Sequence, residues 1–437
     1  MGGSPLDGLP PDTPVGQLSP QDWMEAPATR AVIAALTADG SEARFVGGCV
    51  RDAILGRPIR DIDIATHSPP DRVMELLAAA GIRAIPTGIA HGTVTAVIGR
   101  AHFEITTLRC DVETFGRHAR VEFTDDWTAD AARRDFTINA MFCRPDRMIY
   151  DPFGGLADLG AGRIRFVGNA LQRIEEDVLR LLRYFRFYAH YGHPPADIDA
   201  LAACRAQAPK LAGLSGERCC GEVMKLLQAP DPAGVLVLMR GERVLPHLLP
   251  EAGDFGRLRV LVFLETRGLV RPGIAVDPLR HLAAILGPDA DGAHRVADRL
   301  KLSNRDAARL VAMAAPKIAP TLDMDDKAAR RLLHRTGVPL FRDLVLLAWA
   351  ANRASGAAVQ SRETRHWTGL LDLADTWQPV DLPVHGQDLL DLGVPHGPAI
   401  GALLDRLERW WEEGDYRAGR EETLARLRDM LADPSAA

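Results

Sequence analysis

The sequence near position 50 reads Val46-Gly47-Gly48-Cys49-Val50-Arg51-Asp52, and a second stretch reads Arg60-Asp61-Ile62-Asp63-Ile64-Ala65. The two glycines open a short apolar segment of helix, which Gly56 and Pro58 bring to an end. The second stretch alternates charged and apolar residues, which is typical of a β-strand. A glycine turn, a short helix and a strand that carries two aspartates are therefore predicted in succession.

The predicted strand holds two carboxylates side by side. Successive side chains on a strand alternate faces, so Asp61 and Asp63 point the same way while Ile62 and Ile64 point into a core. Adjacent like charges raise each other's pKa unless a divalent cation lies between them. Because oxygen ligands favour Mg²⁺, the pair is a candidate magnesium site. The alternative is a pair of carboxylates on a solvated face of the sheet.

The Gly47-Gly48 pair is a candidate phosphate site. Glycine lets the backbone approach an anion closely, and the N-terminus of the following helix offers unpaired N–H groups. Phosphates on one side of a short loop and metal-binding carboxylates on the other would form a site for phosphoryl or nucleotidyl transfer.

Composition bounds the class of protein. The chain has 437 residues, enough for two to four domains, and an ordinary content of apolar and charged residues. Its net charge of −6 does not indicate nucleic-acid binding, so any such surface must be a local basic patch. The six cysteines form no C-x-x-C pair and are predicted to be buried free thiols. Without a signal-peptide layout or a membrane-spanning run, a cytoplasmic protein with no membrane partner is expected.

The chain changes character after the turn Asp151-Pro152-Phe153-Gly154-Gly155, which we interpret as a hinge. Strand patterns precede it and only helical patterns follow it. The predicted fold is α+β, with a small mixed sheet in the head and an all-α remainder. The predicted divisions are a flexible leader at 1–22, a head at 23–157, a helical neck at 158–228, a helical body at 229–330 and a helical tail at 331–437.

A pair of strands is predicted at Thr93–Val97 and His102–Thr106. If they lie beside the aspartate strand, Glu104 is a third carboxylate near the metals; otherwise it is an edge-strand residue in solvent. Residues 109–126 are polar without a clear period and are predicted to form a mobile loop near the site.

Residues 133–141 mix polar and apolar side chains in a way that a solvent-facing helix does not need. Arg134 could bind phosphate, while Asp135 and Asn139 could fix its geometry or bind a sugar hydroxyl. The alternative is the start of a helix with an internal ion pair.

A long helix is predicted from about Ala170 to Tyr191. Asp177 and Arg180 are three residues apart and would be neighbours on one face of the helix. Arg183 and Arg186 continue a basic row that could bind triphosphate or the nucleic-acid backbone. Cytosine and adenine present an amino donor beside a ring-nitrogen acceptor, which a carboxylate next to a guanidinium matches. Uracil and guanine present the opposite pattern. The alternative is an ordinary ion pair on an amphipathic helix.

Taken together, these motifs resemble the bacterial class II tRNA nucleotidyltransferase and poly(A) polymerase family, most closely its CCA-adding members. The resemblance covers roughly residues 40–227 in the family's order. The matching residues are Gly47-Gly48-x-Val50-Arg51-Asp52, Asp61-x-Asp63, Arg133 to Ala140, Asp151 to Gly155, Glu176-Asp177-x-x-Arg180 and Ser215-Gly216-Glu217-Arg218.

The resemblance implies a polymerase-β-like nucleotidyltransferase head and a helical neck, body and tail that hold tRNA. It implies that Asp61 and Asp63 carry Mg²⁺, and that Gly48 and Arg51 contact the nucleotide phosphates. It places Arg134 and Asp135 in the nucleotide-binding block and makes Asp177 with Arg180 the protein template for C and A. The implied activity is template-independent addition of CCA to tRNA from CTP and ATP, with no protein partner required.

Two rival functions share these motifs. Poly(A) members of the family tend to carry an arginine-rich insertion after the aspartate strand and a basic tail. Here the two positions read Thr66-His67-Ser68-Pro69-Pro70 and Asp433-Pro434-Ser435-Ala436-Ala437, which favours CCA addition, although a CC-only or A-only enzyme stays open. A non-catalytic RNA-binding protein would have lost an aspartate or the Gly-Gly turn, and neither is lost.

Overall fold

The computed structural model describes residues 12–115, 118–269, 271–356 and 361–432, and the chain forms two compact units, Met1–Pro250 and Glu251–Ala437. The first unit combines a mixed sheet with helices. In the described part of the second unit the regular elements are helices, with one isolated bridge between Ala252 and Leu286. The predicted α+β class is confirmed, while the division into head, neck, body and tail stays a prediction.

The sheet places the aspartate strand at its centre. The strands are β1 Gly16–Gln17, β2 Ala43–Val46, β3 Ile62–Thr66, β4 Arg83–Gly88, β5 Thr93–Ile98, β6 Ala101–Thr107, β7 Arg109–Phe115, β8 His118–Phe123, β9 Phe142–Cys143 and β10 Met148–Tyr150. Eight of them form one sheet in the order β1-β10-β9-β2-β3-β6-β5-β4. Within the described residues, β3 and β6 are the one pair of strands that runs parallel. The predicted strand pair at 93–106 therefore lies beside the aspartates.

The predicted loop at 109–126 was wrong. Strands β7 and β8 pair there as an antiparallel ribbon, with Arg109 opposite Phe123. The register shifts between Asp111 and Glu113. Such a bulge interrupts the alternation of polar and apolar residues by which a strand is recognised, which explains why the sequence shows no period. Residues 116–117, at the turn, lie outside the described residues.

The expected leader is also corrected in part, because the described portion of it joins the head. Gly16 pairs with Ile149, and Leu18 is buried. Asp12 forms an ion pair with the buried Arg44, at 2.8 Å. The Arg44 guanidinium lies 4.0 Å from the ring centres of both Trp127 and Tyr150. The described part of the leader is therefore attached to the head through backbone pairing and an ion pair. Neither contact could be predicted from the composition of the leader.

Helices surround this sheet in the first unit. They are α1 Asp22–Glu25, α2 Pro27–Leu36, α3 Gly48–Ile54, α4 Pro70–Ala79, α5 Trp127–Ala132, α6 Gly155–Ala161, α7 Ala170–Glu176, α8 Leu179–Tyr191, α9 Ile198–Gln207, α10 Gly216–Leu227, α11 Pro232–Gly241 and α12 Leu245–Leu248. Buried aromatic rings join α8 to the residues after α5, with the Phe136 ring centre 4.9 Å from Phe166 and 5.0 Å from Phe187. This packing fixes α8 against the head, where the candidate site lies.

The second unit is a set of helices around a buried ionic cluster. Its helices are α13 Phe255–Phe263, α14 Pro278–Ile285, α15 Ala290–Arg299, α16 Asn304–Ala314, α17 Asp326–Ala354, α18 Ser361–Thr376, α19 Gly386–Asp391, α20 Pro398–Glu413 and α21 Arg420–Ala432. Helix α17 is kinked at Gly337, where φ is 71°. The Asp343 carboxylate accepts from Arg280 Nε at 2.8 Å and Arg309 Nε at 2.9 Å. Glu265 pairs with Arg280 and His281 in the same interior.

The six cysteines are free thiols, as predicted; four are buried, and Cys110 and Cys220 are partly exposed. No helix within the described residues combines the length and the apolar character needed to cross a membrane. The cytoplasmic location stays a prediction.

Candidate active site

A cleft of about 500 Å³ in the first unit collects most of the predicted site residues. It is lined by Gly47, Gly48, Arg51, Asp63, Arg134, Asp135, Asn139, Asp177, Leu179, Arg180, Arg183, Phe187 and Arg218. Ten of these were predicted from the sequence. Five arginines face three aspartates, so the cleft suits an anionic ligand. Asp61, Glu104 and Arg186 were also predicted but do not line it.

The glycine turn is built as the sequence suggests. Strand β2 ends at Val46, and Gly47 adopts φ +71°, a conformation that side chains other than glycine rarely adopt. A Cβ atom on Gly47 would also lie 3.5 Å from Nη1 of Arg134. Glycine therefore lets the backbone turn into α3 directly beneath an arginine of the cleft.

Two carboxylates lie on the strand pair next to this turn, and Asp61 immediately precedes β3. Asp63 on β3 is half-buried and lies opposite Glu104 in the parallel register with β6, while Asp61 and Glu104 are exposed. Burial, and then the nearby Glu104 and Asp61, raise the pKa of Asp63 to about 6, against the opposing effect of Arg134. Surroundings that destabilise the ionised form of Asp63 in this way favour the binding of a cation, which would compensate the negative charge.

The described residues contain no group of three or more His, Cys, Asp or Glu side chains placed to hold a metal ion. Two carboxylates remain compatible with Mg²⁺, because this ion is commonly held by one or two carboxylates together with substrate phosphates and water. Asp63 on β3 and Asp61, immediately before that strand, fit this pattern.

Arg51 is buried and held from two sides. Its Nε and Nη2 atoms donate to the Asp52 carboxylate at 3.0 and 2.9 Å, and its Nη1 donates to Asn139 Oδ1. Its guanidinium also lies 4.3 Å from the ring centre of Tyr191, whose hydroxyl donates to Asp52 at 3.0 Å. The charge is thus fixed in position at the cleft wall before any ligand arrives.

Arg134 is oriented by a residue that the sequence reasoning missed. Asp130 on α5 is buried and accepts from Arg134 Nη2 at 2.9 Å and from Arg133 Nε at 2.7 Å. Burial alone would raise the pKa of Asp130, but the two guanidinium groups hold it below its usual range. Arg173 on α7 also donates to the backbone carbonyl of Arg134, at 2.7 Å. The one sequence signal is the four-residue spacing of Asp130 and Arg134, which a helix would pair.

Asp135 and Asn139 form a bridge between the head and α8. Asn139 Nδ2 donates to Asp135 Oδ1 at 3.0 Å, and Arg183 Nε donates to Asp135 Oδ2 at 2.7 Å. Burial would raise the pKa of Asp135, yet Arg183 and the Asn139 amide hold it below its usual range. These two residues orient Arg51 and Arg183, whereas Arg134, whose geometry they were predicted to fix, is held by Asp130.

The predicted helix from 170 to 191 is wrong at one point, because it breaks at Asp177. Helix α7 ends at Glu176 and α8 begins at Leu179, with Asp177 in an extended conformation between them. Its Oδ1 atom accepts from the backbone N–H of Leu179 at 3.1 Å. A short carboxylate that bonds to nearby backbone N–H groups competes with the helix, which is the physical reason for the break.

Asp177 and Arg180 both line the cleft but pair with other residues. Asp177 Oδ2 accepts from Arg218 Nη2 on α10 at 2.7 Å, and Arg180 Nη1 donates to the Arg173 carbonyl at 2.9 Å and to Glu176. Arg218 lies in the motif Ser215-Gly216-Glu217-Arg218, but no role in the site was predicted for it.

Arg186 does not continue the basic row into the cleft. Its guanidinium pairs with Glu222 on α10 at 2.8 Å and lies 4.5 Å from the Phe187 ring centre. The predicted basic row therefore ends at Arg183, because Arg186 pairs with the buried Glu222 instead of facing the cleft.

Comparison with known proteins places this site in a family. The model described as the poly A polymerase head domain matches residues 43–165, and the one described as the probable RNA and SrmB-binding site of polymerase A matches residues 197–255. The mitochondrial CCA tRNA nucleotidyltransferase 1 of Mus musculus is 36% identical over 395 residues, covering 89% of this chain and 87% of the mouse protein.

Two further relatives are bacterial. The CCA-adding enzyme of Latilactobacillus sakei is 33% identical over 383 residues, which cover 86% of this chain and 91% of that protein. The crystal structure of the Bacillus stearothermophilus CCA-adding enzyme in complex with CTP superposes with a TM-score of 0.75 at 28% identity, covering 93% of this chain and 98% of that one.

The fold and the similarities define a nucleotidyltransferase. The chain belongs to the tRNA nucleotidyltransferase and poly(A) polymerase family. The predicted family, fold class and enzyme class are thereby confirmed.

Proposed function

We propose that this protein adds CCA to the 3′ ends of tRNA from CTP and ATP, without a nucleic-acid template. The observation that carries the proposal is one cleft that is lined by the glycine turn, by Asp63 of β3 and by both Asp177 and Arg180. Relatives over most of the chain are named as CCA-adding enzymes, which supports the same reaction.

In this proposal Asp177 and Arg180 select the base. The carboxylate accepts from the exocyclic amino group of C or A, and the guanidinium donates to the adjacent ring nitrogen. A carboxylate has about four acceptor positions and a guanidinium five donors, so the contacts already made by Asp177 and Arg180 leave capacity for a base. Arg218 holds the Asp177 carboxylate in its orientation while it does so.

The arginines of the cleft bind the triphosphate. Arg51, Arg134 and Arg183 are each held by a carboxylate, which fixes their direction before the nucleotide binds. The Gly47-Gly48 turn and the start of α3 supply backbone N–H groups for the phosphate oxygens. Arg186 was expected to share this role, but its pairing with Glu222 makes it a support for α8.

The reaction joins the tRNA 3′-oxygen to the α-phosphorus and breaks the bond to the pyrophosphate. Asp61 and Asp63 would hold Mg²⁺, and Glu104 would complete the acidic environment beside Asp63. When bound, Mg²⁺ lowers the pKa of the attacking hydroxyl and neutralises charge on the leaving pyrophosphate. The chain's own arginines stabilise the same developing charge from the opposite side of the cleft.

The test is incorporation of CTP and ATP into tRNA transcripts that end before CCA, after C and after CC, beside an unstructured RNA. Ordered addition that stops at CCA, and only on tRNA, is the expected result. Long A tails on either RNA would instead establish a poly(A) polymerase. This activity is the second candidate, because the matched head-domain model is described as that of a poly A polymerase. Addition that halts at CC, or that begins only from CC, would identify a specialist enzyme.

A further inference from the structure

A second cavity, of about 590 Å³, lies in the second unit and belongs to no part of the site described above. It is formed by α13, the π-helical turn Leu264–Gly268 that follows it, and α17 and α18. Its lining residues are Arg259, Val260, Phe263, Leu264, Arg267, Gly268, Leu269, Trp349, Arg353, Thr364 and Thr368. A volume of this size falls in the range of roughly 300–1,000 Å³ that is typical of ligand sites.

The charge of this cavity is unbalanced. Arg259, Arg267 and Arg353 form no side-chain hydrogen bond or ion pair with the described residues, and no aspartate or glutamate lines the cavity. Glu265 lies within the same turn as Arg267, but it is buried and bound to Arg280 and His281. Other arginines of this unit, such as Arg280 and Arg309, pair with carboxylates. Three unpaired guanidinium groups around one cavity therefore indicate an anionic ligand.

The same cavity presents an aromatic face. Phe263 is 55% exposed, which is unusual for a ring of its size, and the buried Trp349 lies on the cavity wall. Gly268 leaves that ring open, since a Cβ atom there would lie 3.3 Å from Phe263 Cε1. An exposed ring among arginines is the combination that proteins use to stack a nucleic-acid base while binding its phosphates.

We propose that this cavity binds an unpaired nucleotide of the RNA substrate, with the base stacked on Phe263 and the flanking phosphates on Arg259, Arg267 and Arg353. The proposal rests on the proposed function, because it assumes that RNA is the substrate. An acidic peptide would satisfy the arginines but would leave the aromatic face without a partner. The region lies outside residues 197–255, which match the RNA-binding family model.

The test uses the full chain and three variants. Phe263→Leu removes the stacking ring, the double variant Arg267→Gln/Arg353→Gln removes two charges, and Arg305→Gln removes one exposed arginine of α16 as a matched control. Because these side chains are at least partly exposed, thermal midpoints should stay close to that of the unchanged protein. The affinity for a tRNA transcript is measured by fluorescence anisotropy over a range of salt concentrations.

We expect Phe263→Leu to weaken tRNA binding by about 5- to 150-fold, the range for loss of one stacked base. The double variant should lower the slope of log K against log salt by about 2, one unit for each phosphate contact. The KM for CTP should not change, and Arg305→Gln should affect neither affinity nor slope by a comparable amount.

Hydroxyl-radical footprinting with mass spectrometry locates the contact independently of activity. Saturating tRNA should protect Phe263 from oxidation, and poly-glutamate should not. Unchanged oxidation of Phe263 in saturated, extendable complexes would overturn the cavity assignment and leave CCA addition standing. Protection by poly-glutamate alone would overturn it as well. A chain that bound no tRNA would overturn both proposals.

Discussion

At the scale of single residues, the candidate site depends on carboxylates that orient arginines. Asp130, Asp135 and Asp52 each hold one arginine of the cleft, and Arg218 does the reverse for Asp177. Each arrangement fixes a long side chain in one direction, which reduces the entropy lost when a ligand binds. Base selection and metal binding are the two functions that single substitutions can separate.

Replacement of Asp177 by alanine should weaken discrimination against UTP and GTP. The carboxylate is the proposed acceptor for the amino group of C and A, and a paired contact to a base edge discriminates by about 1–3 kcal/mol. The ratio of kcat/KM for CTP to that for UTP should fall by about tenfold or more. The measurement is single-nucleotide incorporation with each triphosphate.

Two controls accompany this substitution. Asp199→Ala removes an exposed carboxylate from α9 and should leave selectivity unchanged. Arg218→Ala should reduce selectivity by itself and add little to Asp177→Ala, because both act through one ion pair. Independent, additive effects would contradict the proposed support of Asp177 by Arg218.

The raised pKa of Asp63 predicts that the affinity for Mg²⁺ depends on pH. Its pKa is raised to about 6, first by burial and then by Glu104, whereas Mg²⁺ binds only the ionised form. Affinity should therefore be constant above pH 7 and fall by about tenfold per pH unit well below pH 6. Calorimetric titration with Mg²⁺ and CTP across this range measures it.

Asp63→Asn supplies the control for this titration. The variant should bind Mg²⁺ weakly at every pH and lose incorporation, while tRNA binding stays nearly intact. Turnover close to that of the unchanged protein would refute the metal assignment.

At the scale of elements, local patterns predicted the head well and long-range pairing poorly. The glycine turn, β3 and the β5–β6 pair follow from periodicity and end signals, because these depend on residues close in sequence. The break at Asp177 was missed because the run around it is helical in composition. The hairpin at 109–123 was hidden by its bulge. Contacts such as Arg218 with Asp177 join distant elements and leave no local signal.

The parallel pairing of β3 with β6 gives Glu104 a testable role. The register places it opposite Asp63, so Glu104→Gln should lower the pKa of Asp63 by removing a nearby negative charge. If Glu104 also supports the metals, kcat should fall by about tenfold or more at saturating Mg²⁺. Incorporation rates and the pH midpoint of Mg²⁺ binding measure the two effects.

His102→Gln is the matched control, because His102 is exposed on the same strand two residues away. A lower pH midpoint with an unchanged kcat in Glu104→Gln would limit Glu104 to an electrostatic influence on Asp63 and exclude a catalytic role.

At the scale of the whole molecule, the two units have separate interiors. The first is organised around the sheet and the aromatic cluster of Phe136, and the second around the ionic cluster of Asp343. Units with their own cores can unfold in separate transitions, and a ligand stabilises the unit that binds it. The candidate active-site cleft is lined only by residues of the first unit.

Asp343→Ala and CTP should therefore act on different transitions of denaturant unfolding. The substitution leaves Arg280 with one of its buried carboxylate partners missing, and loss of one partner of a buried ion pair costs about 3–5 kcal/mol. CTP at 100 times its dissociation constant should stabilise the first unit by about 2.7 kcal/mol. Near-ultraviolet circular dichroism and intrinsic fluorescence, recorded with and without CTP, follow the two transitions. If Asp343→Ala and CTP instead shifted one shared transition, the interiors of the two units would have to be energetically coupled. A loss of activity in a variant of the second unit could then have a structural cause and would not by itself indicate a lost RNA contact.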